Sequence, residues 1–127
     1  MKTNDLTAII IDSALAIHRR TGPGLLESVY ETILAHELIR RGLEVERQMP
    51  VAINYDQLEI PDAFRADLVV NKAVIVELKS VETLLPVHGK QLITYLRLSN
   101  LRVGLLINFN VRLLKEGIER FANHFVE

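Results

Sequence analysis

Three charged residues stand inside two apolar segments in the middle of the chain. Asp67 lies in the segment 64–70, and Glu77 and Lys79 stand two residues apart near the end of the segment 74–79. Buried charges must pair with one another or with a metal, because an isolated charge is very costly to remove from water. Two carboxylates beside an ammonium group predict a metal-dependent hydrolytic site.

The way in which these two segments pair decides whether the carboxylates meet. In an antiparallel hairpin, a three-residue turn at 71–73 places Asp67 opposite Glu77, with both side chains on one face of the sheet. A two-residue turn instead pairs Asp67 with Val76 and sends Glu77 to the opposite face. The metal-site hypothesis requires the first register, in which Glu77 and Lys79 also share a face.

The oxygen ligands of the predicted site suit a hard divalent cation. Magnesium and manganese prefer carboxylate, carbonyl and water oxygens, so Asp67, Glu77 and the Leu78 carbonyl are the expected ligands. Such an ion polarises a phosphoryl oxygen and helps to generate hydroxide, while Lys79 would orient the nucleophile or stabilise charge on phosphorus. The structural alternative is a carboxylate–lysine ion pair, or a solvated end of the sheet, without a metal.

The composition indicates one globular domain. The 127 residues are 49% hydrophobic and 24% charged, and no repeat or linker divides them. The net charge is −1, so no basic tail is available for nucleic acid, and a phosphate ligand would need a local patch or a bound cation. The lack of cysteine excludes disulfides and thiolate sites. Because we see no signal peptide and no run of about 20 apolar residues, the expected location is the cytoplasm, without membrane contact.

The hydrophobic periodicity predicts the elements that must position these residues. Helical spacing predicts helices over about 5–20, 26–41 and 87–98. Alternating and continuous apolar runs predict strands over 43–48, 51–55, 64–70, 74–79, 103–109 and 117–121. Residues 56–62 are predicted to be a loop, and the strand 103–109, which follows a helix, is predicted to be parallel to a neighbour. The chain is therefore predicted to have an α/β fold.

Two motifs resemble those of a nuclease superfamily. Asp67 with Glu77-Leu78-Lys79 is similar to the Asp and (D/E)xK elements of the PD-(D/E)XK nuclease superfamily, with Ala66 in place of the proline. Gly24-Leu25-Leu26-Glu27-Ser28-Val29-Tyr30 resembles the GxxExxY signature of a small prokaryotic family within it. The resemblance extends from about residue 9 to residue 121. It implies a restriction-endonuclease-like core in a single domain, 1–127, with a central mixed β-sheet flanked by helices.

The resemblance also implies roles for residues outside the charged pattern. It maps a third metal-binding and catalytic carboxylate onto Glu27, although a glutamate in the first helical turn is also favourable simply because it complements the helix dipole. Tyr30 is expected to pack beneath Glu27. Gln91 and Tyr95 resemble the QxxxY motif, in which the glutamine supports the active site and the tyrosine approaches the nucleic-acid backbone. His88, one turn earlier, would contact substrate unless it is an inert surface histidine.

The function implied by the resemblance is Mg²⁺- or Mn²⁺-dependent hydrolysis of phosphodiester bonds. The expected partner is nucleic acid, with DNA as the first expectation, although the residues do not distinguish DNA from RNA or chain ends from the interior. A domain this small would need a second copy to cut both strands at once, so a homodimer is one expected arrangement. The alternative is a weakly active or inactive binding or scaffold module that keeps the nuclease fold.

Overall fold

A mixed sheet in the order β1-β2-β3-β4-β5 forms the centre of the computed structural model, which describes residues 1–125. β3 and β4 are parallel, and the other neighbouring strands are antiparallel. The elements in chain order are α1 (Thr3–Thr21), α2 (Glu27–Arg40), β1 (Val45–Tyr55), β2 (Leu58–Val70), β3 (Val74–Lys79), α3 (Pro86–Ser99), β4 (Val103–Asn108), a 3₁₀ turn (Leu114–Gly117) and β5 (Ile118–Ala122). The predicted α/β architecture is therefore confirmed.

The helices lie on both faces of the sheet. α1 and α2 cover one face, where Leu34 and Val76 belong to the same buried cluster. α3 covers the other face, where Leu92 packs in a cluster with Ile75. Because β3 and β4 are covered on both sides, their sequences are almost continuously apolar. Within residues 1–125, no helix is both long and apolar enough to cross a membrane.

The hairpin formed by β1 and β2 is longer than the sequence predicted. The predicted loop 56–62 is wrong beyond its first two residues, because Asp56 and Gln57 alone form the turn. Their φ angles of 48° and 68° are those of a type I′ turn, which joins strands directly. Pro50 does not divide β1 into two strands, since β1 is an edge strand that tolerates a proline. Pro61 lies where the β1–β2 register shifts.

β2 and β3 pair only over a short stretch and then separate. Val70 lies opposite Val74 and Leu68 opposite Val76, which confirms the three-residue turn and the register predicted for it. Beyond Leu68, β2 leaves β3 and continues with β1 alone. The two strands therefore diverge between Asp67 and Glu77, and we call this opening the fork.

Candidate active site

Asp67 and Glu77 face each other across the fork and bond to its backbone. The Asp67 N–H donates to Glu77 Oε1 at 3.3 Å, and the Leu78 N–H donates to Asp67 Oδ2 at 2.9 Å. The backbone ladder between β2 and β3 ends one pair earlier, so these side-chain bonds continue the connection between the strands. Both carboxylates therefore have a structural role at the fork in addition to any role in chemistry.

The surroundings of Glu77 favour its protonated form. Its side chain is buried, with 8% of the residue exposed, and its pKa is raised from 4.5 to about 9. Burial is the largest cause, the charge of Asp67 and a hydrogen bond with its carboxyl group add to it, and the charge of Lys79 opposes it. Glu77 therefore keeps its proton at neutral pH. A divalent cation would compensate both charges, which makes this pair a suitable donor set for one.

Lys79 and the Leu78 backbone complete the predicted group at the fork. Lys79 is half-buried on the same face of β3 as Glu77, and among residues 1–125 it belongs to no ion pair. Its carbonyl points away from the fork, because it accepts from the Phe109 N–H at 2.9 Å. In a β-strand, the N–H and the C=O of one residue point to the same side. Because the Leu78 N–H donates to Asp67, the Leu78 carbonyl also points towards Asp67.

Gln48 connects Asp67 to α2, a contact that the motifs did not indicate. Its side-chain amide donates to Glu31 Oε1 at 2.6 Å and to Asp67 Oδ1 at 3.2 Å. Glu31 is buried and also accepts from Arg47 Nε at 3.0 Å. Gln48 has a φ of 50°, a left-handed conformation that non-glycine residues rarely adopt and that is often found at functional sites. Both oxygens of Asp67 are thus held, one by Gln48 and the other by the backbone of β3.

The structure does not bring Glu27 together with Asp67 and Glu77. Glu27 is exposed at the start of α2 and borders a shallow depression with Ser80 and Asn110. Within residues 1–125, no three His, Cys, Asp or Glu side chains lie close enough to hold a metal ion. The ligand role that the resemblance assigns to Glu27 stays a prediction.

Tyr30 explains the local structure of the Gly-x-x-Glu-x-x-Tyr segment. Its ring is fully buried and stacks on Phe109 with 4.3 Å between the centroids. Its hydroxyl donates to the Gly22 carbonyl at 2.6 Å and accepts from the Leu25 N–H at 3.2 Å. Tyr30 therefore packs in the core and ties the loop before α2 to it, while its support of Glu27 stays a prediction.

α3 places Tyr95 beside the carboxylate pair. The Tyr95 ring stacks on Phe64 with 3.8 Å between the centroids. The pKa of its hydroxyl is raised, first by burial and then by the negative charges of Glu77 and Asp67. Tyr95 is therefore close enough to the fork for the charges of its carboxylates to affect the ionisation of the phenol.

The other two predicted residues of α3 are Gln91 and His88. Gln91 is exposed on the helix surface. His88 has a structural contact that the sequence did not suggest, because its Nδ1 accepts from the Leu85 N–H at 3.1 Å at the start of α3. This bond satisfies a free helix-end donor. The support role of Gln91 and the substrate contact of His88 stay predictions.

A comparison with protein families agrees with this geometry. A family model described as the PD-(D/E)XK nuclease superfamily matches residues 4–121. The chain belongs to the PD-(D/E)XK nuclease superfamily. Its five-stranded mixed sheet and three helices within residues 1–125 are consistent with the restriction-endonuclease-like fold of that superfamily. Searches of curated proteins and of solved structures found no match.

Proposed function

We propose that the protein is a divalent-metal-dependent nuclease that hydrolyses phosphodiester bonds of nucleic acid. The observation that supports it most is the Asp67–Glu77 pair at the fork, next to Lys79, in a chain of a nuclease superfamily. Buried carboxyl groups with a strongly raised pKa, such as that of Glu77, concentrate at functional sites. We further propose membership of the GxxExxY family, for which the segment 24–30 is the most specific support.

The donor atoms at the fork fit Mg²⁺ or Mn²⁺. Asp67 and Glu77 would supply carboxylate oxygens and Leu78 a carbonyl oxygen, which are ligands that these ions prefer. When bound, the ion would polarise a phosphoryl oxygen and make water a better nucleophile. Glu77 would release its proton on binding, because the pKa of a carboxyl group falls beside a cation.

Lys79 and Gln48 would act through their positions around the carboxylates. The Lys79 ammonium lies on the same face as Glu77 and would orient the attacking water or balance the charge that grows on phosphorus. Gln48 fixes one oxygen of Asp67, so that less reorganisation is needed when substrate binds. Glu27 is proposed as a further carboxylate at the edge of the site.

The substrate would approach from the side of α3. The Tyr95 hydroxyl beside the fork, the exposed Gln91 and the half-buried His88 would contact the sugar–phosphate backbone. We propose DNA as the substrate, and a homodimer if both strands of a duplex are cut together.

Cleavage of labelled single- and double-stranded DNA and RNA with Mn²⁺ or Mg²⁺ tests this function. Wild-type protein should cut at least one of these substrates. Asp67→Asn and Lys79→Ala should each lower the rate by roughly 100-fold or more, the usual effect of removing one group that stabilises the transition state. Lys72→Ala, in the turn at the opposite end of β3, should cut normally. No cleavage by the wild type, or a normal rate with Lys79→Ala, would show that the proposal is wrong.

One observation favours a second function, that of a nuclease-fold scaffold. Asp67 and Glu77 already bond to backbone N–H groups, a role that needs no metal. Binding of a fluorescent oligonucleotide in EDTA and then in Ca²⁺ separates the two functions. A nuclease should bind more tightly in Ca²⁺ and lose this gain in Asp67→Asn, because the metal-free carboxylates repel phosphate. A scaffold should show no effect of metal or of Asp67.

A further inference from the structure

A pocket lined by cations lies beside the loop that precedes α2. Its volume is about 450 Å³, and it is bordered by Arg19 near the end of α1 and by Arg112 and Lys115, which follow β4. Leu15 and Leu114 give it an apolar part. No acidic residue of the described chain lines it. We call it the cationic pocket.

The cations of this pocket are not neutralised by neighbouring carboxylates. Arg19, Arg112 and Lys115 are exposed, and within residues 1–125 none of them belongs to an ion pair. A cation in the last turn of a helix is favourable by itself, which accounts for Arg19. This helix-end effect does not account for Arg112 and Lys115, which the segment after β4 brings to the same pocket. Three unpaired positive charges are a strong local excess in a chain of net charge −1.

The cationic pocket lies at the end of the sheet where β3 and β4 finish. His18, which also lines the pocket, bonds through Nε2 to the carbonyl of Phe109, directly after β4, at 3.1 Å. The loop before α2 forms a shared wall, because Gly22 lines the pocket while Leu25 borders the depression that also contains Ser80. Ser80 directly follows the last residue of β3. The pocket is therefore separated from this end of β3 by one short loop.

We infer that Arg19, Arg112 and Lys115 bind phosphates of the nucleic-acid backbone at a distance from the bond that is cut. This inference rests on the proposed nuclease function. The carboxylates at the fork attract a cation but repel phosphate, so a protein with almost no net charge needs a local basic surface to hold its substrate. The apolar part of the pocket would contact a sugar or a base.

The salt dependence of oligonucleotide binding in Ca²⁺ tests this inference with two matched triple variants. The pocket variant carries Arg19→Gln, Arg112→Gln and Lys115→Gln. The control variant loses the same charge where the start of α1, the β2–β3 turn and the segment after α3 meet, at the other end of the sheet, and carries Lys2→Gln, Lys72→Gln and Arg102→Gln. All six residues are exposed, so both variants should have the same melting temperature as the wild type.

The pocket variant should bind at least about tenfold more weakly than wild type at low salt. Its slope of log affinity against log salt should be smaller by about 2, because each phosphate contact contributes about 0.7 to 0.9. The control variant should change affinity by less than about threefold. With a cleavable substrate, the pocket variant should show a raised KM and an almost unchanged kcat, since the fork is intact. If the triple variant unfolds, Arg112→Gln alone should lower the slope by about 0.7 to 0.9.

The possible failures can be told apart. Equal losses of affinity and slope in the two variants would overturn the role of the cationic pocket, while cleavage that depends on Asp67 would leave the nuclease proposal standing. Wild-type protein that neither binds nor cuts any oligonucleotide would overturn both.

Discussion

Replacement of Glu77 by glutamine should stabilise the metal-free protein at neutral pH. Glu77→Gln keeps the size of the side chain and an oxygen that accepts the Asp67 N–H, but the amide cannot ionise. The amide group can also donate to the Asp67 carboxylate in place of the Glu77 carboxyl proton. The variant therefore keeps the hydrogen bonds of the fork, but these bonds no longer depend on protonation of residue 77.

The magnitude follows from the pKa of Glu77, which is about 9 in the folded protein against an ordinary value of 4.5. Because the folded-state pKa is raised, the stability from this proton is fully present below pH 4.5 and is lost as pH rises towards 9. Each pH unit in this window costs about 1.4 kcal/mol. Between pH 4.5 and 7.5, wild-type protein should therefore lose about 4 kcal/mol that Glu77→Gln retains.

Urea unfolding in EDTA at pH values from 4.5 to 8.5 measures this difference. The difference in the free energy of unfolding between Glu77→Gln and wild type should widen steadily with pH. Glu59→Gln, an exposed position in the β1–β2 hairpin, should show the same pH dependence as the wild type. Saturating Mn²⁺ should reverse the order, because only the wild type keeps both carboxylate ligands. Parallel curves for wild type and Glu77→Gln in EDTA would refute the reasoning that the fork holds Glu77 protonated.

Three further predictions concern residues outside the fork. Tyr30→Phe should lower the free energy of unfolding by roughly 1–3 kcal/mol in urea melts, because two backbone groups of the loop lose their partner; an unchanged stability would contradict this anchoring role. Gly117→Ala should cost roughly 1–3 kcal/mol in the same assay, since a Cβ would overlap the Asn108 carbonyl oxygen, and a neutral result would show that this turn has room. Glu27→Gln should weaken Mn²⁺ binding without changing the apo melting temperature, whereas Glu31→Gln should lower that temperature because it weakens the bonds of a buried carboxylate to Arg47 and Gln48; the reverse pattern would make Glu27 a structural residue.

The sequence predicts the fork well because strand parity leaves few choices. Only two registers are open to the β2–β3 hairpin, and the requirement that Asp67 and Glu77 meet selects the observed one. The strands β3 and β4 can also be predicted from the sequence. Because helices cover both faces of these strands, their residues form an almost continuous apolar run.

The remaining features depend on information that periodicity does not carry. The long β1–β2 hairpin is exposed and turns through two residues with positive φ, so it lacks the alternation of a half-buried strand. Glu31 could have been suspected, because it follows Glu27 by four residues on the same helix face. Gln48 gives no such signal, since its contact with Asp67 depends on an unusual backbone conformation within β1.

Calorimetric titration of Mn²⁺ at pH 7.5 tests most directly the central claim that the fork is a divalent-metal site. Wild-type protein should bind Mn²⁺ and release nearly one proton as Glu77 ionises, and Glu59→Gln should behave in the same way. Asp67→Asn should bind at least about tenfold more weakly, because it loses a charged ligand. No binding by the wild type, or equal affinity in Asp67→Asn, would contradict the account.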